Sequence, residues 1–260
     1  MTSTQYIMIT RPAHQAGPLA QAISAAGGHA FLFPTLEIRP TELSATDQDR
    51  LLQVNHYDIL IFISPNAVEH GLNQINTIMP LADNVLIATI GQGSARALRH
   101  KLGKNPDIVP ETEFNSEGLL ATPAMQDVTN KRILIIRGNP GREHLKQGLE
   151  QRGARVDYLG VYQRSIPGIN STELELKLEQ YLQKKQIAAI VMTSAESLNN
   201  LLEMVPATVK HQLLQLPLVL INQRLVKVAE AAGFTNRLYV APAASDEAVT
   251  ETLRENKLLS

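Results

Sequence analysis

Short apolar runs alternate with helix-period stretches along the whole chain, the pattern of parallel α/β architecture. Tyr6 to Thr10 reads as a first strand. Leu19 and Ile23, flanked by Ala16, Ala20 and Ala26, give the next segment one apolar stripe at helical spacing. Gly27-Gly28 ends that helix, and His29 to Ile38 is a second extended run. Further strands are predicted at Ile59–Ile63, Val85–Ile90, Ile108–Val109, Ile133–Ile136 and Val156–Tyr162. A charged helix follows over Ser171–Lys185, with Thr172 and Glu175 spaced as a capping box. Ile187–Thr193, Leu218–Ile221 and Leu238–Ala241 complete the strand set.

One pattern is written twice. Ile59–Ser64 runs into Pro65-Asn66-Ala67-Val68, and Ala189–Ser194 runs into Ala195-Glu196-Ser197-Leu198. Each is an apolar run with a serine at its carboxyl end and then a helix start, which is where open α/β sheets bind ligands. Ser64 and Ser194 stand 130 residues apart (194 − 64). Arg11 and Arg137, like Gly27 and Gly153, are offset by 126 (137 − 11 and 153 − 27). Ser116-Glu117-Gly118 resembles Ser245-Asp246-Glu247 at an offset of 129 (245 − 116). A divergent duplication leaves such a drift; the alternative is that all α/β units look alike. If Arg11 and Ser194 share a sheet, the first domain is discontinuous, residues 1–36 plus 168–260, and 40–162 is inserted. The extended runs 31–40 and 158–167 are then interdomain linker strands, paired as a two-stranded hinge, and the two sheets face a shared cleft.

Composition narrows the chemistry. With 24 basic and 25 acidic residues the net charge is −1, so no global field draws nucleic acid or an anionic membrane. Local donors must hold any anionic ligand. The chain has no cysteine, which removes disulfides, thiol catalysis and thiolate metal sites. Met1-Thr2-Ser3-Thr4-Gln5 has no signal-peptide pattern, and no apolar run approaches the roughly 20 residues of a membrane span. A soluble cytoplasmic protein is expected. The seven histidines show no metal-ligand spacing, and Gly-x-Ser-x-Gly is absent.

The candidate residues cluster at strand ends. Ser64 before Pro65, and Ser194 before Ala195-Glu196, are helix-cap signals. Helix amino termini carry free N–H groups and the positive dipole end, suited to carboxylate or phosphate; capping alone is the alternative. Gly91-Gln92-Gly93-Ser94 after the Val85–Ile90 run is a glycine-rich turn that lets backbone approach a ligand. It is neither a P-loop nor a full dinucleotide fingerprint. Arg11-Pro12 and Arg137-Gly138-Asn139-Pro140-Gly141-Arg142 are read as basic turns whose arginines grip carboxylates with two bonds. Tyr162, on an expected crossing, is either core packing or a proton donor to a leaving oxygen.

These motifs, in order, resemble the uroporphyrinogen-III synthase family: Ile9-Thr10-Arg11-Pro12, Phe62-Ile63-Ser64-Pro65-Asn66-Ala67-Val68, Ile90-Gly91-x-x-Ser94-Ala95-x-Ala97-Leu98, and Ser116-Glu117-Gly118-Leu119-Leu120. The match continues through Ile135-Ile136-Arg137-Gly138-x-x-Gly141-Arg142, Val161-Tyr162-x-Arg164, Thr193-Ser194-Ala195 and Pro242-x-x-Ser245-Asp246-Glu247-Ala248. Each motif is weak alone; their order along nearly the whole chain is the specific signal. The resemblance implies two flavodoxin-like parallel-sheet domains joined by a two-stranded β linker around a flexible cleft. It implies cyclisation of hydroxymethylbilane, a linear tetrapyrrole studded with carboxylates, with inversion of the last pyrrole and loss of water. No cofactor or metal is expected, and the chain is expected to be a monomer with transient contact to the enzyme that makes its substrate. By motif, Tyr162 matches the tyrosine that assists loss of the hydroxyl. Arg11, Ser64, Asn66, Gly91, Ser94, Arg137, Gly138, Ser194 and Asn222 match substrate-binding positions.

Two positions depart from the family pattern. After the Leu218–Ile221 run, Asn222 stands where glycine is usual and Leu225 where threonine is. Asn tolerates a left-handed backbone, so the turn survives on that reading; Leu225 supplies no hydroxyl. Ile63 also stands where threonine is common, while Thr193 keeps the pattern. The alternative these departures support is a non-catalytic tetrapyrrole or anionic-metabolite sensor on the same fold.

Overall fold

Four-residue runs of branched and aromatic side chains, apolar on both faces, form the strands because helices cover each sheet on two sides. The computed structural model describes residues 4–139, 143–168 and 171–259, the side chains of 139, 171 and 172 excepted. Pro140, Gly141 and Arg142 of the expected basic turn lie outside these residues, as does the Thr172 side chain of the expected capping box. Two compact units form, Met1–Glu37 with Ser165–Ser260, and Ile38–Arg164.

The chain opens the first unit with β1 (Tyr6–Ile9), α1 (Ala13–Ala25) and β2 (His29–Leu32). Helix α1 buries Ala16, Leu19 and Ile23 and is stopped by Gly27 at φ +87. The second unit holds β3 (Glu37–Pro40), α2 (Ala45–Leu52), β4 (Ile59–Phe62), α3 (Pro65–Asn76), β5 (Leu86–Thr89), α4 (Gln92–Leu102), α5 (Ser116–Ala121), β6 (Arg132–Asn139), α6 (His144–Gln151) and β7 (Arg155–Ser165). The return to the first unit supplies α7 (Ser171–Gln183), β8 (Ile187–Met192), α8 (Ala195–Met204), α9 (Lys210–Leu214), β9 (Leu218–Leu220), α10 (Arg224–Ala231), β10 (Leu238–Val240) and α11 (Asp246–Glu255).

Among the described residues each unit has one five-stranded sheet, ordered β10-β9-β8-β1-β2 and β3-β7-β6-β4-β5. The first sheet is parallel throughout, and β7, β6, β4 and β5 are parallel in the second. Each sheet has an apolar cluster on either face; Met8, Ile190 and Leu220 anchor one side of the first sheet, and Ile7, Ile9 and Val191 the other. In the second sheet Leu60 and Phe62 face one cluster, Ile59 and Ile61 the opposite one.

Three expectations need correction. The run His29–Ile38 is broken: β2 ends at Leu32, Pro34 interrupts, and Glu37–Pro40 joins the other sheet. Phe31 and Leu32 therefore belong to β2 and not to a crossing. Ile108–Val109 is no strand but a single parallel bridge between Ile108 and Ala88, clipped by Pro106 and Pro110, which have no N–H to donate. Arg137 and Gly138 are not in a turn; they extend β6.

The pairing register carries the repeat more sharply than the sequence does. Tyr6 pairs with His29 as Arg132 pairs with Arg155, both offset by 126 (132 − 6 and 155 − 29). Ile9 pairs with Val191 as Ile135 pairs with Ile61, at 126 and 130 (135 − 9 and 191 − 61). The bridge of Ala88 to Ile108 mirrors Val219 with Tyr239 at 131 (219 − 88 and 239 − 108). The first unit keeps β10 where the second keeps one bridge. Caps correct one alignment: Asn115 caps α5 and Ser245 caps α11, which sets the offset there at 130 (245 − 115).

Candidate active-site residues

The second unit gathers most of the candidates where β4, β5 and β6 end. Ser64 leaves β4 in extended conformation, and its Oγ accepts the Ala67 N–H at 3.0 Å while Pro65 takes the first helical position. The same Oγ lies 3.0 Å from the Tyr162 hydroxyl. Tyr162 projects from β7 into the core and is 2% exposed. Gly138 stands opposite it in the β6–β7 register. A Cβ at Gly138 would sit 2.4 Å from Tyr162 Cε2, so only glycine leaves the ring its place. The His70 ring of α3 lies 5.8 Å from the tyrosine ring, and Arg164 Cζ 5.9 Å from its centroid.

Asn66 is half-buried on the first turn of α3. Gly91 caps α4 with an extended φ of −154, and a Cβ at Gly93 would lie 3.5 Å from Pro65 Cγ, so the two helix starts adjoin. Both aim their first amides at the carboxyl edge of the sheet, where the dipoles favour an anion. Ser94, on the first turn of α4, is 3% exposed. Arg137 is turned inward. Its side chain is 6% exposed, with Nη1 3.4 Å from Glu143 and Cζ 4.2 Å above the Tyr158 ring. Burial, and then the Glu143 carboxylate, push the Tyr158 phenol up to about 12.

In the first unit Arg11 follows β1 and is paired through Nη1 with Asp246, the first residue of α11. An acidic residue there also suits the positive end of α11. Ser194 leaves β8; its Oγ accepts the Ser197 N–H at 3.0 Å and donates to Ser197 Oγ at 2.9 Å. Asn222 does not use a left-handed backbone, since it is not among the residues with positive φ. It keeps its turn another way: Oδ1 accepts the Leu225 N–H at 3.2 Å. Leu225 is buried in the first unit's core, as its counterpart Ser94 is in the second. That position packs inward in both copies.

Replacing Ser194 by alanine should cost about 1 kcal/mol of stability, the usual value of a serine cap. Thermal denaturation checks it; an unchanged melting temperature means that water replaces the cap at no loss.

The structure thus joins Ser64, Tyr162 and Gly138, and separately Arg11 and Asp246. It sets Ser94 and Arg137 inside the fold. Sequence reasoning missed Asp246 as the partner of Arg11, because 235 residues separate them and no local pattern links the two. Two hollows lie away from these residues. One of about 390 Å³ is lined by Asp107, Ile108, Thr112, Gly118, Thr122 and Pro123, and one of about 280 Å³ by Leu182, Lys185, Ile187, Gln212, Gln215 and Leu216. Neither of these two contains a candidate residue. Among the described residues no acidic and histidine cluster is arranged to hold a metal, and no helix is long and apolar enough to cross a membrane.

Residues 17–251 match the family model described as uroporphyrinogen-III synthase HemD. The uroporphyrinogen-III synthase of Escherichia coli (strain K12) is 30% identical over 252 residues, covering 95% of this chain and 99% of that protein. That of Proteus mirabilis is 37% identical over 174 residues, 66% of this chain and 86% of the relative. Among solved structures, a mutant uroporphyrinogen III synthase from Thermus thermophilus superposes with a TM-score of 0.64 at 17% identity, covering 98% of each chain. The Helicobacter pylori 26695 uroporphyrinogen-III synthetase gives 0.57 at 16%, over 97% of this chain and all of that one. At such identities the superpositions speak to the fold alone, an α/β fold with parallel sheets.

Proposed function

The chain belongs to the uroporphyrinogen-III synthase family, and from that premise we propose that it closes hydroxymethylbilane into uroporphyrinogen III, with Tyr162 as proton donor. The family membership carries the reaction. The observation that carries the residue assignment is the Tyr162 hydroxyl 3.0 Å from Ser64 Oγ, at the amino end of α3 on the carboxyl edge of a parallel sheet.

A ligand lined with carboxylates needs many N–H donors and few reactive groups. The amide-rich starts of α3 and α4, in the same unit as Tyr162, are of that kind. In the step assigned to Tyr162, the hydroxymethyl C–O bond breaks and its electron pair leaves with oxygen. The phenol proton joins that oxygen to form water, while the adjacent pyrrole nitrogen supplies electrons to the carbon. The proton shed from the pyrrole carbon at ring closure restores the phenol. Gly138 enters this reading as the residue that makes room for the ring, and Arg137 as support beneath it; neither is given to the substrate directly.

The sensor alternative rests on Asn222 and Leu225. Asn222 preserves the turn by capping, and Leu225 fills a position buried in both units, so neither favours a lost activity.

The test supplies purified protein with hydroxymethylbilane and resolves the product isomers. Type III is expected; only type I, the product of spontaneous closure, sinks the reading. Tyr162→Phe should lower turnover about a hundredfold, the low end for general acid catalysis. Unchanged turnover removes Tyr162 from its role.

A further inference from the structure

The motif match gives Ser64 to substrate binding, and its geometry points to a further task. A serine hydroxyl has one proton to donate and two lone pairs. One lone pair is committed to the Ala67 N–H at 3.0 Å. The remaining short contact is with the Tyr162 hydroxyl, and it runs in one of two directions. If Tyr162 donates to Ser64, its proton is spent inside the protein. If Ser64 donates to Tyr162, the phenol proton is left to point elsewhere.

The phenol proton itself is free to reach a ligand directly in the second arrangement. We propose that Ser64 is the positioning residue of Tyr162: it donates into the phenol oxygen, fixes the direction of the phenol proton, and holds the phenolate left after transfer. The proposal rests on the reading of Tyr162 as proton donor. Three features support it. The ring is wedged over Gly138, so the hydroxyl cannot wander. The Ala67 N–H fixes the Ser64 oxygen itself. The phenolate would also lie one hydroxyl away from the amino end of α3, whose dipole favours negative charge. The His70 ring lies 5.8 Å from the tyrosine ring and the Arg164 guanidinium carbon 5.9 Å from its centroid, so both are charged or titratable neighbours of the phenol.

The experiment compares Ser64→Ala, Ser64→Thr, Tyr162→Phe and the Ser64→Ala/Tyr162→Phe double variant, by kcat and KM with hydroxymethylbilane. Ser64→Ala should lower kcat about tenfold with KM within about twofold, since hydrogen bonds to charged groups carry that much. Ser64→Thr restores the donor and the cap and should recover most of the loss. The double variant should be no slower than Tyr162→Phe alone, because Ser64 acts through the tyrosine. A raised KM at unchanged kcat, or losses that simply add, overturns the proposal. Should loss of the cap unfold the alanine variant, Ser64→Gly removes the hydroxyl at a cost of only a few tenths of a kcal/mol. The ¹³Cζ resonance of Tyr162, identified by its absence in Tyr162→Phe, should move in Ser64→Ala and return in Ser64→Thr. A resonance that stays put overturns the pairing. Wild-type turnover in Tyr162→Phe instead brings down the proton-donor reading on which the proposal stands, whatever the resonance does.

Discussion

Gly138→Ala should reduce turnover about a hundredfold, the cost of displacing a catalytic group by an ångström, and destabilise the fold by about 1 to 3 kcal/mol as an overpacked core does. The new Cβ would meet Tyr162 Cε2 at 2.4 Å, Cζ at 2.5 Å and Cδ2 at 3.0 Å. Backbone strain plays no part, since Gly138 has no positive φ. The ring has nowhere to retreat: it is buried in the cluster formed with Phe62, Leu134 and Val161. Either the ring swings away and loses Ser64, or β6 and β7 part. Melting and initial-rate measurements separate the two terms. In a Tyr162→Phe background the stability loss should persist, because the ring still collides, while turnover should fall little further. Full turnover in Gly138→Ala would falsify the placement of the chemistry at this hydroxyl.

Phe62→Ala should cost about 3 to 5 kcal/mol, the range for emptying a buried phenylalanine site. That is a large part of the roughly 5 to 15 kcal/mol that typically holds a domain folded. Phe62 is fully buried at the last position of β4. Its ring supports α3 where that helix lies lowest on the sheet: a Cβ at Gly71 would be 3.1 Å from Phe62 Cε1 and 2.7 Å from Ile136 Cγ2. Glycine has no side chain to fall into the space, and the sheet beneath is fixed by pairing, so the cavity stays open. Urea unfolding gives the number. A loss below about 1 kcal/mol would mean that α3 settles onto the sheet and the site collapses at little cost.

Much of the fold was legible because it rests on local pattern. The strands at Tyr6, Ile59, Ile133 and Ile187 are apolar on both faces, and Ser64 and Ser194 announce the helices that they cap. What failed did so where flanking prolines or distant partners decide. Ile108–Val109 has strand composition, but prolines on either side limit it to one bridge. Arg137-Gly138 has turn composition, yet pairing with β7 keeps it extended. The candidate site was legible as residue types and illegible as contacts. Tyr162 and Ser64 are 98 residues apart, and nothing near either one says that they touch. Gly138 has the look of a ligand-approach glycine; the residue that it admits is a tyrosine of its own fold.

The sheet order also governs how the chain is made. Strand β1 lies between β2 and β8, and Thr10 Oγ1 donates to the carbonyl of Val191, 181 residues further on. The second sheet needs only residues from Glu37 to Ser165. A ribosome therefore releases every strand of the second sheet before the centre of the first is available. Until β8 emerges, β1 carries one unpaired edge of Tyr, Ile, Met and Ile, a surface that invites pairing with a neighbouring nascent chain. The inserted order leaves β1 without its second neighbour until β8 has been made.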